Sequence, residues 1–335
     1  GTGPEHAVCV ARCDTIDGEW VGKKANPILT HRHLGMGAGV VYVGHADLFC
    51  DNNNRWWMVC LASRPYGTGN ERYCNMGRET FMVPVKWEDD WPVCSWETGL
   101  VENAYDLFGH VVTRKNDDED AVFFPVNDDF NDSKLDLYWL GLREIDLNYV
   151  NCTENSGNLR LYGAQPLSCN GKTSFISRRQ TGFSYEACTK MQAHFANDND
   201  CAGIVCFQNE TFNYRLQLKS LGKVIILQLI KSYGQKEEIL KEETITGGTK
   251  NVQIVLRVVA EGQNLSFQYG HDERNMSVLL ANQDASILSV EKAGGFVGTV
   301  IGMFAVSGGD YTKKEFYVDF DWFKYQNSSR EWIYK

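Results

Sequence analysis

Apolar and polar residues alternate with a period of two through most of this sequence, and a 3.6-residue period is hardly ever sustained. Such a pattern sends successive side chains to opposite faces of a strand and cannot lay a continuous apolar stripe along a helix. It commits the chain to an all-β fold. Val252, Ile254, Leu256 and Val258 recur at every second position, with Gln253 and Arg257 among the residues between them, and Glu261-Gly262-Gln263 supplies a turn before Leu265, Phe267 and Tyr269. These runs predict a hairpin with one buried face. Phe316, Val318, Phe320 and Trp322 repeat the alternation near the C-terminus. A further hairpin is read as Ala46 to Cys50, a four-residue tip Asp51-Asn52-Asn53-Asn54, then Arg55 to Leu61. That register sets Cys60 opposite His45 and keeps Cys50 apart from Cys60. Trp56 and Trp57 then point to opposite faces, so at most one meets the core of its own sheet and the other meets a neighbouring sheet or a sugar.

With 335 residues the chain exceeds what one hydrophobic core usually serves, about 250 to 300 residues, so two domains are expected. Lys115 to Glu119 is charged and without apolar anchors. It reads as part of a linker over 116–126, which separates a first domain, 1–115, from a second, 127–326, with a tail over 327–335.

The formal charge of −10 and the absence of any basic run exclude a polyanionic partner such as nucleic acid and suit a neutral ligand. No apolar run approaches the roughly 20 residues of a membrane-spanning helix, so no membrane partner is expected. The opening Gly1-Thr2-Gly3-Pro4 has neither an initiator Met nor a signal-peptide core, and the chain reads as processed or truncated. Eleven cysteines are scattered without a CxxC pair, against a zinc site, and their odd number leaves at least one unpaired within the chain. Six N-x-S/T sequons begin at Asn131, Asn151, Asn209, Asn264, Asn275 and Asn327, as expected of a secreted, extracellular glycoprotein.

Five strings come in a telling order: Asn26-Pro27-Ile28-Leu29-Thr30-His31-Arg32, Gly44-His45-Ala46-Asp47-Leu48, Trp56-Trp57-Met58-Val59, Gly77-Arg78-Glu79-Thr80-Phe81 and Trp87-Glu88-Asp89-Asp90-Trp91-Pro92-Val93. They resemble the β-xylosidases and arabinofuranosidases of glycoside hydrolase family 43. The resemblance continues through Asp128-Asp129-Phe130-Asn131, Leu159 to Gly163, Ser177 to Gln180, Ala202 to Phe207 and Asp319 to Phe323, so it spans nearly the whole chain. It implies the last blades of a five-bladed β-propeller followed by a concanavalin-like β-sandwich. It also implies an exo-acting, inverting hydrolase that releases xylose, with arabinofuranose as the second candidate, from xylo-oligosaccharides or arabinoxylan-derived chains. A non-catalytic carbohydrate-binding or structural fragment is the alternative.

An inverting glycosidase needs a carboxylic acid and a carboxylate base held roughly 6.5 to 9.5 Å apart. By the resemblance, the blades that carry them precede Gly1, so an N-terminal propeller segment of the same precursor is the expected partner, and no catalytic residue is assigned here. Glu5, Asp47 and Glu79 lie in the motif regions, yet nothing in the sequence makes two of them converge. Glu5 reads as a loop or rim residue. Arg78 matches the family arginine that hydrogen-bonds sugar hydroxyls, with a salt bridge to Glu79 or Asp47 as the alternative. His45 matches the family histidine near the propeller axis, which holds a metal-bound water or orients a carboxylate, with a satisfied core histidine as the alternative. Cys60 reads as a buried thiol rather than a ligand. Phe296, in Gly294-Gly295-Phe296-Val297-Gly298, resembles the sandwich loop that narrows the family's active site, with ordinary strand core as the alternative. No cofactor is required; a structural calcium ion shared by Asp128 or Asp129 with Asp319 or Asp321 stands beside plain surface carboxylates.

Overall fold

A computed structural model describes residues 3–35, 37–67, 71–112, 126–247 and 251–327. The chain forms two compact units that part between residues 121 and 122. The expected linker lies, up to residue 125, outside the described residues, and so does the expected tail beyond Asn327.

The first unit holds a two-stranded ribbon, β1 (Ala11–Arg12) and β2 (Val21–Gly22), and a four-stranded antiparallel sheet. The sheet runs in sequence order as β3 (Val41–Cys50), β4 (Trp56–Ser63), β5 (Glu79–Glu88) and β6 (Trp91–Cys94), the meander of a propeller blade. Met58, Cys60 and Ala62 of β4 are buried with Val83 and Val85 of β5 and with Leu29, Val40 and Val43. The β3–β4 tip is one residue longer than expected. Asp51 N–H donates to the Arg55 carbonyl at 2.9 Å, and Asp51 Oδ1 accepts from the backbone N–H groups of Asn53 and Arg55 at 2.8 and 3.0 Å. The Arg55 amide, followed by that of Asn53 and the Arg55 side chain, holds the Asp51 carboxyl down at about 2. Arg55 is thus drawn into the turn, and Cys50 pairs with Trp56. Trp56 packs against the core on the Met58 face, and Trp57 is turned to the other face.

The second unit contributes β7 (Asn127–Asp128), β8 (Val150–Asn151), β9 (Leu159–Tyr162), β10 (Ser174–Arg179), β11 (Tyr185–His194), β12 (Cys201–Asn209) and β13 (Phe212–Leu221). It continues with β14 (Val224–Tyr233), β15 (Lys236–Gly247), β16 (Asn251–Glu261), β17 (Asn264–Gly270), β18 (Met276–Asp284), β19 (Val300–Val306) and β20 (Tyr317–Asn327). One sheet has the order β10-β19-β12-β13-β14-β15; the other runs β18-β17-β16-β11-β20-β9-β8, with β7 also on β20. The main core takes Ile204, Leu216 and Leu227 from the first sheet and Met191, Leu256 and Phe320 from the second, as in a sandwich. Helical turns are confined to Ala285–Leu288, Val290–Ala293 and Tyr311–Lys313 among the described residues. The fold is therefore all-β, a blade-type sheet followed by a two-sheet sandwich.

The β16–β17 hairpin forms as read, with Glu261 paired to Asn264 across Gly262-Gln263 and Val252, Ile254, Leu256, Val258, Leu265 and Phe267 buried. On β20 the alternation breaks. Phe316, Val318 and Phe320 are buried, but Lys190 pairs with Trp322 while the adjacent Met191 pairs with Phe320. Asp321 is the extra residue of this β-bulge, and it re-phases the strand so that Phe323 and Tyr325, not Trp322, continue the core.

Candidate functional site

The edge strand β3 pairs irregularly with β4. From Cys50↔Trp56 to Asp47↔Val59 one register holds, Gly44↔Leu61 begins a second and Val41↔Ser63 a third. Each shift adds a residue to β3, so His45 and Ala46 together oppose Cys60, close to the expected juxtaposition. Tyr42 and His45 take φ values of 61° and 53°, the left-handed region that side chains with a Cβ avoid. Strain of this kind persists only where surrounding structure over-determines it, and it concentrates at functional sites.

Between these two residues lies Gly44, where a Cβ would come within 2.4 Å of the His6 ring. Glycine is what admits that imidazole. His6 is buried, and its Nδ1 lies 2.8 Å from the Tyr42 carbonyl, which can only accept, so Nδ1 carries the proton. Nε2 is then an acceptor, and no described residue bonds to it. Burial lowers the His6 pKa; the Tyr42 carbonyl opposes this, and the nearby positive charges of Arg78 and His45 add to it. His45 and Arg78 thus lie close enough to act on the His6 ring electrostatically.

Arg78 is half-buried and stands just before β5, after a turn in which Gly77 N–H donates to the Cys74 carbonyl at 3.1 Å. Glu79, one suggested partner for it, is instead held by Arg64, with Nε to Oε2 at 2.9 Å and Nη2 to Oε1 at 2.7 Å. His45 is exposed, so it is not a core histidine. That structural part belongs to His31, which is buried, donates from Nδ1 to the Val40 carbonyl at 2.9 Å and accepts at Nε2 from Val101 N–H at 2.9 Å. Cys60 faces the core, and burial pushes its thiol up to about 12, which leaves it without thiolate character.

The arrangement supplies hydrogen-bond capacity without an acid. The guanidinium of Arg78 is a fixed fork of donors, and His6 Nε2 is an acceptor. Glu5 is exposed. The carboxyl groups of Asp51, Glu97, Asp106, Asp146, Asp272 and Asp310 are all displaced downward, the opposite of what a general acid requires. Sequence reasoning missed His6. It lies in the opening stretch rather than in a motif string, and only the Gly44 contact reveals it.

In the second unit, Phe296 is 49 % exposed on the loop after Val290–Ala293, so it is not strand core. Gly294 and Gly295 both have φ of 77°, which lifts the ring out of the preceding turn. The proposed calcium ligands do not meet. Asp128 accepts from Phe130 N–H at 2.9 Å, Tyr138 O–H at 2.9 Å and Trp139 Nε1–H at 2.7 Å. Asp319 accepts from Arg160 Nε–H at 2.7 Å, Arg160 Nη2–H at 2.8 Å and Asn155 Nδ2–H at 2.9 Å. Asp321 pairs with Lys190 at 2.7 Å, and Asp129 is exposed. These lone pairs are spent on protein donors, and no group of three His, Cys, Asp or Glu converges among the described residues, His45 included. The residues present do not fit a calcium site.

Comparison with known proteins gives two family matches. Residues 1–92 match glycosyl hydrolases family 43, and residues 127–326 match the β-xylosidase C-terminal concanavalin A-like domain. A xylosidase/arabinosidase of Butyrivibrio fibrisolvens is 33% identical over 327 residues, covering 96% of this chain and 60% of that protein. A non-reducing end α-L-arabinofuranosidase of Bacteroides ovatus is 30% identical, covering 97% of this chain and 59% of that protein. Among solved structures, a xylan β-1,4-xylosidase from Bacillus halodurans superposes with a TM-score of 0.82 at 25% identity, covering 98% of this chain and 61% of that one. The chain spans about 60% of the length of the curated relatives it matches.

Proposed function

Since the chain belongs to glycosyl hydrolases family 43, with the concanavalin A-like domain of the β-xylosidases, we propose that it is the sugar-recognising later part of an exo-acting, inverting glycosidase. The substrate class is xylo-oligosaccharides and arabinoxylan-derived chains, cut to release xylose and, as the second candidate, arabinofuranose. Names of the relatives support this class. The general acid and base come from a preceding propeller segment of the same precursor. Exposed apolar side chains at Ile16, Trp20 and Val21, beside β2, are surface such a segment would cover.

One observation carries the reading: Arg78, His45 and His6 lie near a strained, bulged strand and offer hydrogen-bond capacity there. In this reading Arg78 donates to glycone hydroxyls, His6 Nε2 accepts from one, and His45 orients a hydroxyl or a water. The second reading is a non-catalytic carbohydrate-binding fragment. Secretion and N-glycosylation belong to the proposal as well. None of the six sequon asparagines is buried, and Asn131, Asn264, Asn275 and Asn327 are exposed.

The test is Arg78→Ala in the full-length protein, assayed on an aryl β-xyloside. Loss of a charge-assisted hydrogen bond, roughly 1.5 to 3 kcal/mol, should lower kcat/KM by about ten- to a hundredfold while circular dichroism is unchanged. An unaltered kcat/KM removes Arg78 from the pocket.

A further inference from the structure

Trp56 and Trp57 drew attention in the sequence because both cannot serve one core, and the glycone site uses neither. Trp56 meets Trp87 edge to face, with centroids 5.2 Å apart and planes at 80°. Both border a cleft of about 350 Å³ that also takes in Trp57, Trp96 and Phe108, all within the first unit. This volume falls in the range of small-ligand clefts, about 300 to 1,000 Å³.

The wall of the cleft is built rather than incidental. Gly109, at φ 87°, lets its loop close on Trp96 and Pro84; a Cβ there would lie 2.2 and 2.6 Å from them. Arg55 ties the same loop down by donating from Nη1 to the Leu107 carbonyl at 2.8 Å. On this fixed frame Trp87 is 46 % and Phe108 76 % exposed. Large rings left so open on a surface mark a binding site more often than a packing accident.

The cleft carries charges of both signs, Arg55 and Lys86 against the exposed Glu88. Arg55 pairs with Asp51 at 2.6 Å, and the Lys86 ammonium sits 4.1 Å over the Trp96 ring. With Lys86 and Glu88 of opposite sign at its border, the cleft favours neither an anion nor a cation, and the chain as a whole is acidic. What suits exposed rings with a polar rim is a neutral molecule with one apolar C–H face and a hydroxylated edge, which describes a pyranose ring. Two ring planes at 80° form a corner, not a flat platform, and suit a chain whose successive sugars are turned against each other.

We propose that this cleft is an accessory binding site for the internal stretch of a neutral, twisted polysaccharide of the xylan type, holding polymer while the pocket around Arg78 takes a chain end. The identity of the polysaccharide rests on the hydrolase reading above. The cleft itself does not.

The experiment is affinity electrophoresis of the full-length protein in soluble arabinoxylan and in soluble cellulose ether, with aryl β-xyloside hydrolysis measured in parallel. Trp87→Ala should weaken arabinoxylan retention by about tenfold, Phe108→Ala should weaken it less, and Trp87→Phe should keep most of it, with aryl xyloside kcat/KM unchanged throughout. Stronger retention in arabinoxylan than in cellulose ether is expected. Wild-type protein that is not retained, or Trp87→Ala and Phe108→Ala proteins retained like wild type, would overturn the proposal. The first of these includes the case in which a preceding segment fills the cleft. Trp87-dependent retention in a protein that hydrolyses no aryl glycoside would uphold the cleft and sink the hydrolase reading instead.

Discussion

Among the bulged strands of this molecule, β20 and β3 use the extra residue in opposite ways. On β20 the extra residue, Asp321, is pinned by Lys190, and the re-phased strand goes straight on burying Phe323 and Tyr325. On β3 the extra residues take positive φ values, and the strand turns His45 outward beside a glycine that admits the His6 ring. The first bulge serves packing. The second spends backbone energy to present polar groups, which is the signature expected of a site rather than of a core.

The acids near the two bulges extend the contrast, and they set the largest expected effect. Asp319 is almost wholly buried against Arg160, which also stacks 4.2 Å from the Tyr317 ring. Removing one partner of such a pair strands the other charge, so Asp319→Ala should destabilise the protein by about 3 to 5 kcal/mol. Equilibrium urea unfolding would measure it. Hydrolysis by the fraction still folded should be unaffected, and a catalytic loss without a stability loss would move Asp319 out of the structural class.

A smaller effect tests the bulges themselves. At φ 53° a glycine is relieved of the cost borne by His45, so His45→Gly should raise stability by about 1 kcal/mol while lowering kcat/KM. Asp321→Gly should do the reverse, losing about 0.5 to 1 kcal/mol with kcat/KM unchanged. Thermal unfolding paired with aryl xyloside kinetics would read both, and the same sign of stability change in the two variants would erase the distinction.

Acid titration gives the mildest effect. Burial holds His6 and His31 below the ordinary histidine pKa of 6.5, so both stay neutral in the folded chain when the unfolded chain begins to bind protons. Their contribution is therefore complete above about pH 6.5 and is lost as pH falls toward the folded values. Unfolding midpoints should begin to decline as pH falls through about 6.5, ahead of the carboxylate losses at lower pH. A flat profile there contradicts the assignment.

The sequence made some of this legible and hid the rest for physical reasons. The β16–β17 hairpin was readable because apolar residues recur at every second position on both strands and its turn carries glycine. The β3–β4 tip was misread by one residue because the Asp51 carboxylate recruits the Arg55 amide, a side-chain choice that periodicity does not encode. Trp322 looked like core because nothing local announces the bulge at Asp321; it arises from pairing with β11, over a hundred positions away in the chain. Asp128 and Asp319 looked like a shared oxygen site because composition shows carboxylates without their donors. Trp139, Tyr138, Arg160 and Asn155 reach them only in the folded sheet. The neighbourhood of His45 and Arg78 was named from motif strings, whereas His6 needed the coordinates.

The central claim is that this chain recognises the sugar while the acid and base lie in a preceding segment. Its most direct test is to express residues 1–335 alone, then measure solubility and aryl β-xyloside hydrolysis with and without a co-expressed N-terminal segment. The account predicts an aggregation-prone chain without turnover alone, and turnover once the segment is supplied. A soluble monomer fully active by itself would contradict it and would mean that a carboxylate of this chain performs the acid chemistry.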